Sequence, residues 1–250
     1  MKENVKLKWL NAHGQILPIT WGVPWKKGML EPGELPALKD KTDHLVPCGC
    51  RATAYWPDGS VKWTAHSALL DGTQEYYLDT SCCSQPYTES VRLKEETGGI
   101  IADCGPLILK FSKKGRRLFE LVSLYGENSH AACGITAHAL RTERSGTVMQ
   151  TRTDLCSGEI TGAEIETDDG MHCVVRSCGE IRLSEDIPLL TFILRHYLYA
   201  GCADIRVVCS IQWTCPDVSV KLAGLKLDYD VPIDGELYNR HIAFAGEDGL

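Results

Sequence analysis

Arg51-Ala52-Thr53-Ala54-Tyr55-Trp56-Pro57-Asp58-Gly59-Ser60-Val61-Lys62-Trp63 sets two short alternating runs on either side of Pro-Asp-Gly. Proline presets φ at the first corner position, the Asp58 carboxylate caps the turn, and Gly59 takes the left-handed conformation that closes a three-residue loop. The stretch predicts a β-hairpin. On its outgoing arm Val61, Trp63, Ala65, Ser67 and Leu69 share one face and Lys62, Thr64 and His66 the other, the period of two of a half-buried strand.

Working outward, the same period recurs and no segment carries a strong helical period, so the fold class is all-β. Val5 to Leu10 and Ile16 to Trp21 predict strand, turn, strand, and Gly22 to Leu30 predicts a loop held by Trp21 and Trp25. Glu34 to Asp40 predicts one helical turn, and Glu75 to Leu78 one more short strand. A boundary is expected near Ser81 to Pro86, with a second weak spot at Glu95 to Gly99. Longer antiparallel strands follow at Leu107 to Phe111, Leu118 to Leu124, Val148 to Asp154, Ile160 to Thr167 and Cys173 to Leu183. The clearest pair is Leu190 to Tyr199 with Ile205 to Trp213, and Leu222 to Tyr229 closes the series. The change in strand length divides the chain into a small barrel over residues 1–90 and an antiparallel sandwich over residues 91–250.

Composition narrows the function. The 250 residues are 44% apolar and 24% charged, as in a folded globular protein, and 26 basic against 33 acidic residues give a net charge of -7. With no basic block beyond a pair such as Lys113-Lys114, a nucleic-acid partner is disfavoured. Met1 to Lys8 has neither the apolar core nor the cleavage site of a signal peptide, and no run approaches the ~20 apolar residues of a membrane span. The simplest placement is cytoplasmic, with no membrane partner.

Twelve cysteines in such a chain are expected to be reduced. Cys48-Gly49-Cys50 and Cys82-Cys83 are too close for a zinc hook, so no metal and no cofactor is expected. Cys104, Cys133, Cys173, Cys202 and Cys209 sit among strand residues as small hydrophobes. There is no phosphate loop, no paired-histidine metal motif and no nucleophile elbow. His13, His44, His66 and His130 are isolated, and Trp9, Trp21, Trp56 and Trp63 are better explained by packing than by sugar stacking. The densest polar cluster is Tyr238-Asn239-Arg240-His241, which offers proton donors, a carboxylate fork and a ring that titrates near neutrality. Strand alternation would put Tyr238 and Arg240 on one face and Asn239 and His241 on the other.

Trp21-Gly22-Val23-Pro24-Trp25-Lys26-Lys27-Gly28 and Ala54 through Trp63 resemble the N-terminal RIFT barrel of the exo-rhamnogalacturonan lyases of polysaccharide lyase family 26 and their YetA-like relatives. Leu198 to Val207, Gly224 to Leu227 and Val231-Pro232 through Tyr238-Asn239-Arg240-His241 to Phe244-Ala245-Gly246 are similar to that family's central β-sandwich. The resemblance spans nearly the whole chain in family order. It implies a protein concerned with β-elimination of the pectin backbone, whose catalytic groups belong mainly to a C-terminal α/α toroid. The chain stops at Gly249-Leu250, where the family pattern would continue, so the sandwich is expected to be incomplete there. The expectation is a non-catalytic β portion, with Tyr238, Asn239, Arg240 and His241 binding substrate or facing the toroid, in the same or a separate chain. The rivals are a free-standing carbohydrate-binding module that takes an oligosaccharide, and a structural β module with an exposed apolar patch.

Overall fold

A computed structural model describes residues 4–10, 14–83, 90–233 and 236–241. The chain opens with β1 (Asn4–Lys6), β2 (Ile16–Pro24), β3 (Pro36–Asp40), β4 (Leu45–Val46), β5 (Gly49–Tyr55), β6 (Val61–Asp71) and β7 (Tyr76–Cys83). They form a four-stranded sheet, β1-β7-β3-β4, and a three-stranded sheet, β2-β6-β5. Between them lies a core of Val23, Trp25, Leu30, Leu38, Val61, Ala68, Leu70, Tyr76 and Leu78.

The β5–β6 hairpin forms as its turn residues require. Gly59 has φ +90°, its N–H donates to the Trp56 carbonyl, and the Asp58 carboxylate accepts from both the backbone and the hydroxyl of Ser60. The face of the outgoing arm differs from expectation. Thr64, His66, Ala68 and Leu70 are the interior series, whereas Trp63 is 41% exposed. Register shifts between Ala52/Ala54 and Ala54/Tyr55 mark bulges opposite Trp63, so Val61 and Thr64 both reach the core although they are three residues apart. Two further expectations fail locally: Pro36–Asp40 is a strand paired to β7 rather than a helical turn, and β2 continues through Gly22 to Pro24. Pro18 and Pro24 are tolerated because β2 is an edge strand.

The rest is β8 (Arg92–Glu96), β9 (Gly99–Asp103), β10 (Leu107–Ser112), β11 (Phe119–Leu124), β12 (Glu127–Asn128), β13 (Ala132–Ser145), β14 (Val148–Asp168), β15 (His172–Ser184), β16 (Ile187–Tyr199), β17 (Arg206–Trp213) and β18 (Val220–Asp230). The weak spot at Glu95 to Gly99 is the tight turn between β8 and β9. The two predicted strands at Val148 to Asp154 and Ile160 to Thr167 are one strand of 21 residues. Its first half pairs with β13 through Ser157, and from Gly158 it pairs with β15, so β14 crosses from one layer of the sandwich to the other. Gly158 sits at the crossing, where a Cβ would collide with Ile135. The layers enclose Ile100, Leu109, Phe111, Leu118, Ile135, Val175, Ile181, Leu190, Phe192, Leu194 and Leu198.

Along β16 Leu190, Phe192, Leu194, His196 and Leu198 are buried, and β17 continues this face with Trp213, Ile211, Cys209 and Val207 opposite. At this sheet edge cover thins: Ile211 is 47% and Trp213 42% exposed, and Cys209 is exposed rather than buried. Cys48, Cys50, Cys104, Cys133, Cys156, Cys173, Cys178, Cys202, Cys209 and Cys215 are free thiols. The structure is all-β, and among the described residues a short 3-10 turn at Leu237–Asn239 is the one helical element.

Candidate functional site

Three cross-strand rows of the β2-β6-β5 sheet build one wall of the site. Trp21, His66 and Cys50 lie opposite one another, flanked by Thr20, Ser67 and Gly49 on one side and by Gly22, Ala65 and Arg51 on the other. Neighbours along a strand point to opposite faces, so the flanking rows look out toward the sandwich, and the His66 row packs toward the barrel core with Trp21 and His66 also lining the space between the two walls. Leu69, of the outward series, packs against the sandwich core.

The other wall is the β14–β15 turn and the strands behind it. Gly170 takes φ +83°, the Asp169 N–H donates to the His172 carbonyl, and the His172 N–H returns a bond of 2.8 Å to the Asp169 carboxylate. That carboxylate, almost wholly buried, also accepts from Ser67 Oγ with both oxygens at 2.9 Å. Gly49 makes the approach possible, since a Cβ there would collide with Asp169. Glu166 is the extra residue of a bulge between Ile165 and Thr167, and it receives a bidentate bond from Arg195 at 2.6 and 3.0 Å. This pair holds the Glu166 carboxyl below the usual carboxylate range.

Between the walls lies a cavity of about 550 Å³ lined by Trp21, Arg51, His66, Asp169, His172 and Tyr197, among others. His66 is 1% exposed and burial pushes its pKa down to about 4. Trp25 Nε1 donates to Thr64 Oγ1 at 2.8 Å, and the same hydroxyl is hydrogen-bonded to His66 Nε2 at 2.7 Å, which holds the ring in place while burial keeps it neutral. Cys48 and Cys50 sulfurs flank that ring at 4.0 Å, both held as thiols by burial, Cys50 with its pKa pushed up to about 12. Among the described residues no three His, Cys, Asp or Glu side chains are grouped to hold a metal ion.

Residues 91–250 match the family model described as the PcRGLX-like protein central beta sandwich domain, and residues 3–81 the PcRGLX-like N-terminal RIFT barrel domain. The chain belongs to the PcRGLX-like family. It is thus a YetA-like, rhamnogalacturonan lyase-like family member, with a RIFT barrel followed by a β-sandwich. It is 32% identical to the uncharacterized protein YetA of Bacillus subtilis (strain 168) over 252 residues, 98% of this chain, and spans 29% of that protein's length.

In this PcRGLX-like chain the sequence cluster and the cavity are different places. Tyr238 and Asn239 lie in the 3-10 turn, with Arg240 and His241 just after it, and all four are exposed. The turn replaces the strand whose alternation would have split them. His13 and the segment from Phe244 to Gly246 lie outside the described residues. The cavity residues Arg51, Glu166, Asp169, His172, Arg195 and Tyr197 were not singled out from sequence. The available signals were faint: an acidic pair before a turn glycine at Asp168-Asp169-Gly170, and charged residues, Arg195 and Arg206, inside otherwise apolar strands.

Proposed function

We propose that this chain serves as the non-catalytic β portion of a rhamnogalacturonan lyase-like protein, with β-elimination carried out by a helical toroid in the same or a separate chain. The observation that carries the reading is the match of both β domains to the PcRGLX-like family, in a chain that spans 29% of YetA's length. β-Elimination at a uronate needs a base for the proton on C5, a group to neutralise the carboxylate, and an acid for the leaving oxygen.

The polar groups of the seam are poorly disposed for that work. His66 is a weak base held by Thr64, Arg195 is spent on Glu166, and Asp169 is spent on Ser67 and the turn. The apolar edge at Ile211 and Trp213, and the exposed Tyr238, Asn239, Arg240 and His241, suit a surface that receives a further domain. The test incubates the purified chain with rhamnogalacturonan oligosaccharides and follows the ultraviolet absorbance of the unsaturated uronate. No turnover is expected, and robust turnover overturns the reading.

A further inference from the structure

The seam cavity contains unspent hydrogen-bonding capacity of one kind. Trp21 Nε1 and His172 Nε2 are buried and have no partner among the described residues, although both side chains line the cavity. His172 is 5% exposed, so an unmet polar atom there is costly unless something fills the space beside it. Arg51 lines the same cavity and makes no ion pair among the described residues. The acids of the cavity are already engaged, Glu166 by Arg195 and Asp169 by Ser67 and the His172 N–H. What remains is an indole N–H that only donates, a guanidinium that only donates, and an imidazole nitrogen.

We propose that this cavity binds a small organic carboxylate, seated on Arg51, His172 and Trp21. The planar guanidinium matches a carboxylate in fork geometry. His172 Nδ1 lies 3.8 Å from Asp169 Oδ2, beyond hydrogen-bond reach, and Nε2 is the buried ring nitrogen that a ligand in the cavity would meet. Stacking is not the mode of recognition. Trp21 lies nearly parallel to His66 at 5.2 Å, while Tyr197 has His172 stacked on it at 5.9 Å and Arg206 over its ring at 5.2 Å. The volume suits a single-ring acid rather than a polymer segment. The carboxylate has two possible sources, a terminal uronate unit or a free hydroxy acid. The inference rests on the cavity alone, so a chain without lyase turnover still tests it.

The experiment is isothermal titration calorimetry of the full chain with galacturonate, with galactose, which is the same ring without the carboxylate, and with malate. Saturable binding of galacturonate is expected, with galactose at least tenfold weaker. Arg51→Ala and Trp21→Phe should each weaken galacturonate at least tenfold, and Arg51→Lys less than Arg51→Ala. Arg51 is exposed, so its variants should melt as the parent does. Galacturonate binding alone identifies a uronate site, and tighter binding of malate, in competition with galacturonate, identifies a free acid; both support the proposal. Equal binding of galactose and galacturonate, unchanged affinity in Arg51→Ala, or no binding of either acid overturns it.

Discussion

His66 and His196 are buried as neutral rings, and both have pKa values pushed down to about 4 by burial. His196 Nδ1 donates to the Val175 carbonyl at 3.2 Å, while its ring packs between Phe111 and Phe119 at 4.8 and 5.5 Å. The unfolded chain takes up these protons near the ordinary histidine value of 6.5, before the folded chain does. Stability therefore falls as pH drops from about 6.5 to 4 and levels off below, by about 3 kcal/mol for each ring. Asp79, held to about 2 by Ser81 and Lys39, acts in a separate window: its contribution is full above about 3.8 and is lost as pH falls toward 2. His196→Phe keeps an aromatic ring of similar size and removes one titration. Urea midpoints measured from pH 7 to 4 should fall in the parent and fall by roughly half as much in the variant. Equal slopes would mean that His196 is not the buried proton acceptor described.

At the scale of elements, two glycines separate backbone strain from steric exclusion. Gly59 has φ +90° with nothing within 4 Å of a built Cβ, so Gly59→Val costs only the left-handed penalty, about 1–2 kcal/mol. At Gly158 a Cβ meets Ile135 and Phe192, so Gly158→Val overpacks the point where β14 changes layers and should cost about 3 kcal/mol. Chemical denaturation of both variants checks the order, and a Gly59→Val chain as damaged as Gly158→Val would refute it. The same elements show what the sequence made legible. Turn chemistry at Pro57-Asp58-Gly59 and the strict alternation of β16 and β17 are local signals, and they were readable. Bulges are not, because one inserted residue swaps the faces without changing composition. That is why the polar series Thr64 and His66 proved interior. The break between the two predicted strands at Val148 to Asp154 and Ile160 to Thr167 falls instead where β14 changes partner from β13 to β15, at Ser157 and Gly158. The cavity was hidden for a related reason. Arg51, Asp169 and His172 come from strands far apart in sequence, whereas Tyr238, Asn239, Arg240 and His241 drew notice by adjacency alone.

At the scale of the whole molecule, two separate cores meet through a small set of contacts. The β14–β15 turn is anchored within the sandwich by the Val91 N–H to the Gly170 carbonyl at 2.7 Å and the Ala200 N–H to the Met171 carbonyl at 2.8 Å. From that anchor Asp169 reaches the Ser67 hydroxyl across the space left by Gly49, with Leu69 alongside packed on the sandwich core. Ser67→Ala removes this crossing bond, leaving the one between Tyr199 and Thr20, and keeps the turn's own bond from the His172 N–H to Asp169 intact. Asp169→Ala removes both bonds to Asp169. If this carboxylate couples the cores, the parent melts as one cooperative unit in scanning calorimetry. Ser67→Ala should then broaden the transition, because a buried carboxylate loses a donor. Asp169→Ala should resolve it into two, the barrel melting first because it has fewer buried residues to hold it. A single sharp transition in Asp169→Ala, merely shifted down, would assign the coupling to the other contacts across the seam, the apolar one at Leu69 and the side-chain hydrogen bond between Tyr199 and Thr20.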